Sequence, residues 1–147
     1  GLWSPQEKTV AKYQLPSKSL CASWTSDGTI LAIGMLNGNI TLRCGASGDE
    51  KKNICHSGPV WTLTWISCSK DVLVVGGWDR SLSFYLLSGE KCFKDRQINY
   101  KPCCIATFGK HQTYFLVGGT NNKITLYSHE GVSLCNVVEG DRWIYSM

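Results

Sequence analysis

The chain has 147 residues, 43% of them hydrophobic and 18% charged, which is enough for a globular domain and unlike the composition of a disordered segment. Lys and Arg number 15 against 11 Asp and Glu, a net charge of +4, but the cations are scattered and Lys51-Lys52 is the only basic pair; this argues against a nucleic-acid partner. Apolar runs such as 29–36 and 72–77 are one strand long, far short of the roughly 20 residues a bilayer-crossing helix needs, so no transmembrane segment is expected.

In chain order, the first residues carry neither a start Met nor the basic-then-apolar layout of a signal peptide, and Gly1 reads as a cut end. Trp3, inside Leu2-Trp3-Ser4-Pro5, falls in phase with the last residues of later hairpin strands. An aromatic-ended strand is predicted over 19–24, followed by the apolar strand Leu31-Ala32-Ile33-Gly34. The turn Met35-Leu36-Asn37-Gly38 leads into the alternating strand Asn39-Ile40-Thr41-Leu42-Arg43, and a second turn stands at Ser47-Gly48. The same order then repeats. A strand over 60–65 precedes Leu73-Val74-Val75-Gly76, the turn Gly77-Trp78-Asp79-Arg80, the strand Ser81-Leu82-Ser83-Phe84-Tyr85 and the turn Ser88-Gly89. A strand over 103–108 precedes Phe115-Leu116-Val117-Gly118, the turn Gly119-Thr120-Asn121-Asn122, the strand Lys123-Ile124-Thr125-Leu126-Tyr127 and the turn Glu130-Gly131. Gly34, Gly76 and Gly118 stand 42 residues apart, and Trp143-Ile144-Tyr145 matches the start of a further aromatic-ended strand.

One period therefore holds four short strands joined by tight turns, and no segment shows sustained helical spacing. The expected fold is all-β, part of a β-propeller: full four-stranded blades over 19–59, 60–102 and 103–142, with the end of a preceding blade in 1–18 and the start of a following one in 143–147. Propellers close with at least four blades, each burying its faces against the next, so the native protein is expected to be longer.

Catalysis and metal binding find little support in the residue pattern. No G-x-S-x-G elbow, Walker loop or H-E-x-x-H occurs, and the predicted innermost strands offer no cluster of ionisable groups, which weighs against a propeller hydrolase. His111 and His129 fall in turns, where they are expected to be solvated. Gly76-Gly77 and Gly118-Gly119 end strands before hairpins with no helix N-terminus to hold an anion, and read as turn glycines. The eight cysteines include no C-x-x-C pair, so neither zinc nor a disulfide framework is expected; they read as reduced and intracellular. No cofactor is implied.

These residues resemble the WD-repeat family, whose blades carry a Gly-His pair before the first strand and a Trp-Asp pair near the end of the third. Cys55-His56 before Val60-Trp61, and Gly76-Gly77-Trp78-Asp79, are the nearest matches. The resemblance implies a buried structural pairing of His56 with Asp79, with Tyr85 in the place of the family's tryptophan and glycine in the place of a strand hydroxyl. Asn37 and Asn121 take the aspartate position in the flanking blades, where no histidine aligns, so packing and ladder hydrogen bonds are expected to hold those blades. The family also exposes side chains of its turns on one rim, which makes Trp61, Trp78 and Tyr145 the candidate partner-binding residues, since aromatics dominate interface hot spots. Trp24 and Trp65 are expected in the core.

Gly1-Leu2-Trp3-Ser4-Pro5, Leu82-Ser83-Phe84-Tyr85, Lys94-Asp95-Arg96, Pro102-Cys103-Cys104-Ile105 and Leu116-Val117-Gly118-Gly119 are similar, in this order, to the WD-repeat subunits of intraflagellar transport complex A. That likeness implies a non-catalytic scaffold supporting retrograde ciliary transport and cilium assembly. Its implied partners are the complex's other protein subunits, with ciliary membrane-protein cargo or an adaptor, and its implied places are the cytoplasm, the cilium and the ciliary base. Other WD-repeat adaptors, a vesicle-coat subunit or a ubiquitin-ligase substrate receptor, fit the same blade pattern.

Overall fold

The structure, a computed structural model, describes residues 15–139 apart from 16, 26, 57, 68–69, 109–113 and 130. The parts of the sequence expected to belong to incomplete blades, with Tyr145, lie largely or wholly outside those residues.

Twelve strands and no helix are found among the described residues. The first sheet is β1 (Ser19–Trp24), β2 (Ile30–Met35), β3 (Asn39–Cys44) and β4 (Glu50–Cys55). The second is β5 (Val60–Ser67), β6 (Asp71–Gly77), β7 (Ser81–Leu86) and β8 (Lys91–Gln97). The third is β9 (Pro102–Phe108), β10 (Tyr114–Gly119), β11 (Lys123–Tyr127) and β12 (Ser133–Glu139). In each sheet the strands pair antiparallel in chain order, as a meander. This is the all-β, propeller-like arrangement of four-stranded blades that the repeat predicts.

Period-two alternation explains the packing, because successive side chains of a strand leave on opposite faces. In the second blade Leu63, Trp65, Leu73, Val75 and Tyr85 face the first blade, where Ala32, Ile40, Leu42 and Ile54 receive them. Ile66, Val72, Val74, Leu82 and Phe84 leave on the other face and meet Tyr100, Phe115, Val117 and Tyr127 of the third. The second blade is thus buried on both faces, which is why β6 reads as an unbroken apolar run.

Two expectations are corrected by this packing. Trp65 is 3% exposed, with its Nε1 donating to the Ser23 carbonyl across the blade junction at 3.1 Å. Trp24, its counterpart one blade earlier, is not core but 42% exposed, because no described residue covers that side of the first blade. Gly76-Gly77 and Gly118-Gly119 end β6 and β10 as expected, but as buried strand residues with ordinary φ rather than turn glycines. A Cβ on Gly76 would lie 2.9 Å from Pro102 and Thr62, and one on Gly119 only 2.2 Å from the Lys101 carbonyl oxygen. These glycines exist because a neighbouring chain segment passes against the strand.

Candidate partner-binding rim

The β2–β3, β6–β7 and β10–β11 turns and the β4–β5 and β8–β9 connections share one edge of the arc, as the antiparallel meanders require. Each of the three turns has its third residue in the left-handed region: Gly38 at φ 91°, Arg80 at 60° and Asn122 at 63°. Glycine and asparagine tolerate that region and arginine does so less readily.

The residue before it in each turn is Asn37, Asp79 or Asn121, and each bonds locally two residues on. Asn37 accepts from the Asn39 N–H at 3.0 Å, Asn121 from the Lys123 N–H at 3.2 Å, and Asp79 from the Ser81 hydroxyl at 2.7 Å. Such bonds stabilise the turn itself. In the second blade His56 adds a long-range contact. The His56 side chain is 2% exposed, its Nδ1 lies 3.0 Å from the Tyr85 hydroxyl and its Nε2 4.0 Å from an Asp79 carboxylate oxygen. The second distance exceeds hydrogen-bond range, and Nε2 has no hydrogen-bond partner. Burial therefore pushes the His56 pKa down, with the Asp79 charge opposing it. A Cβ on Gly77 would stand 3.1 Å from both Nε2 and the Asp79 carboxylate, so the glycine leaves the two groups room to face each other.

The third blade adds one side-chain pair to the packing and ladder bonds expected to hold it. Tyr100, from the β8–β9 connection, shares a 2.7 Å hydroxyl–hydroxyl bond with Tyr127, the counterpart of Tyr85. Burial drives both hydroxyl pKa values up, so both stay protonated. A tyrosine pair thus replaces the histidine–tyrosine pair of the second blade. The replacement escapes a search for histidine because Tyr100 lies two residues beyond Ile98, the position that aligns with His56.

Trp61 and Trp78 come together on this edge with ring centroids 4.9 Å apart, and the Lys101 ammonium sits 4.3 Å from the Trp78 ring centroid. Trp61 is half-buried beneath, whereas Trp78 is 46% exposed. Lys101 held no signal in the sequence; the backbone explains its place, because its N–H donates to the Thr120 hydroxyl and its carbonyl accepts from the Thr120 N–H. Leu36, the counterpart of Trp78 one blade earlier, is also 46% exposed.

Family comparison matches the first β-propeller of IFT122 to residues 1–147. The chain belongs to that family. Among curated proteins it is 42% identical over 153 residues to a mouse intraflagellar transport protein 122 homolog, covering 99% of this chain and 13% of that protein. The zebrafish and Xenopus tropicalis homologs are each 39% identical over the same shares. The chain therefore spans about an eighth of the length of these relatives. As a WD-repeat propeller segment of this family, it contains, among its described residues, no group of three or more His, Cys, Asp or Glu placed to hold a metal. His129 stands in the β11–β12 turn as expected, partly exposed, and His111 lies outside the described residues. No helix among the described residues is long and apolar enough to cross a membrane.

Proposed function

We propose that the chain is part of a non-catalytic scaffold, a subunit of intraflagellar transport complex A that supports retrograde ciliary transport and cilium assembly, in the cytoplasm, the cilium and at its base. The observation that carries this is the match of the first β-propeller of IFT122 over residues 1–147. The blade frame supports it, because turns fixed by Asx bonds and inter-blade hydroxyl pairs make a rigid rim, and binding residues concentrate on loops that such a frame positions. In this reading Trp61, Trp78 and Tyr145 meet other subunits of the complex, a ciliary membrane-protein cargo or an adaptor, while His56, Asp79, Tyr85, Asn37 and Asn121 hold the blades. No cofactor or metal takes part. Affinity purification of the full-length protein from ciliated cells, followed by mass spectrometry, is expected to recover the other intraflagellar transport subunits. Recovery of coat or ubiquitin-ligase components in their absence would sink the assignment.

A further inference from the structure

Among the described residues the two edges of the arc differ in charge. The edge bearing Trp78 carries Lys18, Arg80 and Lys101, while its one carboxylate in the turns, Asp79, is already bonded to Ser81 and faces His56. The described turns and strand starts of the opposite edge carry Asp27, Asp49, Glu50, Asp71 and Glu90 against Lys70 and Lys91. Lys18 and Lys101 occupy equivalent places, each with a carbonyl that accepts from the turn of its own blade, at Leu36 and Thr120 respectively. A cation thus stands over the exposed tip of Trp78, where the Lys101 ammonium lies 4.3 Å from the ring centroid.

Arg80 sharpens this asymmetry. Its backbone sits at φ 60°, where the sister turns use Gly38 and Asn122, and its carbonyl accepts from the Ile98 N–H and the Gln97 side chain, roles that any residue can fill. These backbone roles need no arginine, yet the exposed Arg80 stands two residues from Trp78. Strained positions of this kind point from an observed outlier to a role for the side chain. Trp78 is also pre-organised. Trp61 supports one side of it and Lys101 caps its ring, which lowers the entropy lost when a partner settles on it.

We propose that this rim docks an acidic protein segment carrying an aromatic or aliphatic anchor, with the anchor on Trp78 and the segment's carboxylates paired to Arg80 and Lys101. The inference rests on the scaffold reading and names the chemistry of one partner. Aromatic anchors ringed by charges are the usual makeup of interface hot spots, and the cations set encounter rate and register.

The test uses the full-length protein and fluorescence anisotropy with a labelled synthetic peptide of Glu and Asp around a central Phe. Versions with Lys for the acids and with Ala for the Phe serve as comparisons, and phosphatidylcholine vesicles doped with a phosphoinositide test a membrane instead. The acidic Phe peptide is expected to bind, to weaken as salt rises, and to lose about tenfold or more in affinity with Trp78→Ala and about threefold or more with Arg80→Gly. Arg80→Gly relieves the left-handed backbone, so its melting temperature is expected to hold or rise, which separates lost binding from lost folding. Equal binding of the acidic and Lys peptides, wild-type affinity in Arg80→Gly, or preference for the vesicles overturns the proposal. Co-purification of the other transport subunits is scored in the same preparations. If they are retained while the peptide fails, the docking inference falls alone; if they are absent from wild type, the scaffold reading falls and the peptide result still decides the docking.

Discussion

His56 and Tyr100 solve one problem at two blade junctions, that of giving a buried hydroxyl on β7 or β11 a partner. Tyr85 finds the His56 ring and Tyr127 finds the Tyr100 hydroxyl. The histidine solution makes stability depend on pH. Burial lowers the His56 pKa from its ordinary 6.5, so on acidification the unfolded chain takes up the proton first. Stability is therefore full above about pH 6.5 and declines as the pH falls toward the lower folded value. Chemical denaturation across the range from about pH 7.5 to 5.5 is expected to show that slope in wild type and a shallower one in His56→Gln. The tyrosine solution predicts non-additivity. Tyr100→Phe leaves the Tyr127 hydroxyl buried without its partner and is expected to cost about 1–3 kcal/mol. Tyr100→Phe with Tyr127→Phe is expected to cost less than the sum of the single changes, measured in a double-mutant cycle.

Within the strands, the decisive residues are those where two segments pass close together. Gly119→Ala places a methyl group against the Lys101 carbonyl, a backbone atom that cannot swing aside, and is expected to destabilise by about 1–3 kcal/mol. Gly58→Ala is the control: its Cβ meets nothing within 4 Å and its φ is ordinary, so it is expected to be neutral or slightly stabilising. Thermal melts of the two variants distinguish close approach from a general glycine effect. The turn glycines were legible in the sequence through Ser47-Gly48 and Ser88-Gly89, where Gly48 and Gly89 have φ 75° and 87°. Gly76 and Gly119 were not, because a Gly-Gly pair at a strand end looks alike whether it turns the chain or makes room for a neighbour.

At the scale of the whole molecule, the arc has two outer faces. The first blade leaves an apolar groove among Leu20, Ala22, Leu31 and Ile33, beside the exposed Trp24. The third blade leaves Leu116, Ile124 and Leu126 half-buried, although their counterparts Ala32, Ile40 and Leu42 are fully covered by the second blade. Trp65→Ala is accordingly expected to cost about 3–5 kcal/mol and Trp24→Ala well under half as much in the 147-residue chain, by urea unfolding. Apolar faces that no described residue covers favour association, so the 147-residue chain alone is expected to self-associate in size-exclusion chromatography with light scattering. A clean monomer would count against those faces being uncovered in solution.

The sequence alone determined the strand period, the turn positions and the all-β blade frame, because alternation and turn chemistry are local properties written residue by residue. It also grouped His56, Asp79 and Tyr85 in one structural network and put Trp61 and Trp78 on one edge, since an antiparallel meander returns every second connection to the same edge. Only the tertiary structure decided which blade face is covered, and with it the contrast between Trp24 and Trp65. It likewise decided that Tyr100 meets Tyr127 and that Lys101 lies over Trp78. Those contacts join residues of neighbouring blades through connections of irregular backbone, where no period carries the register and packing alone sets the distance.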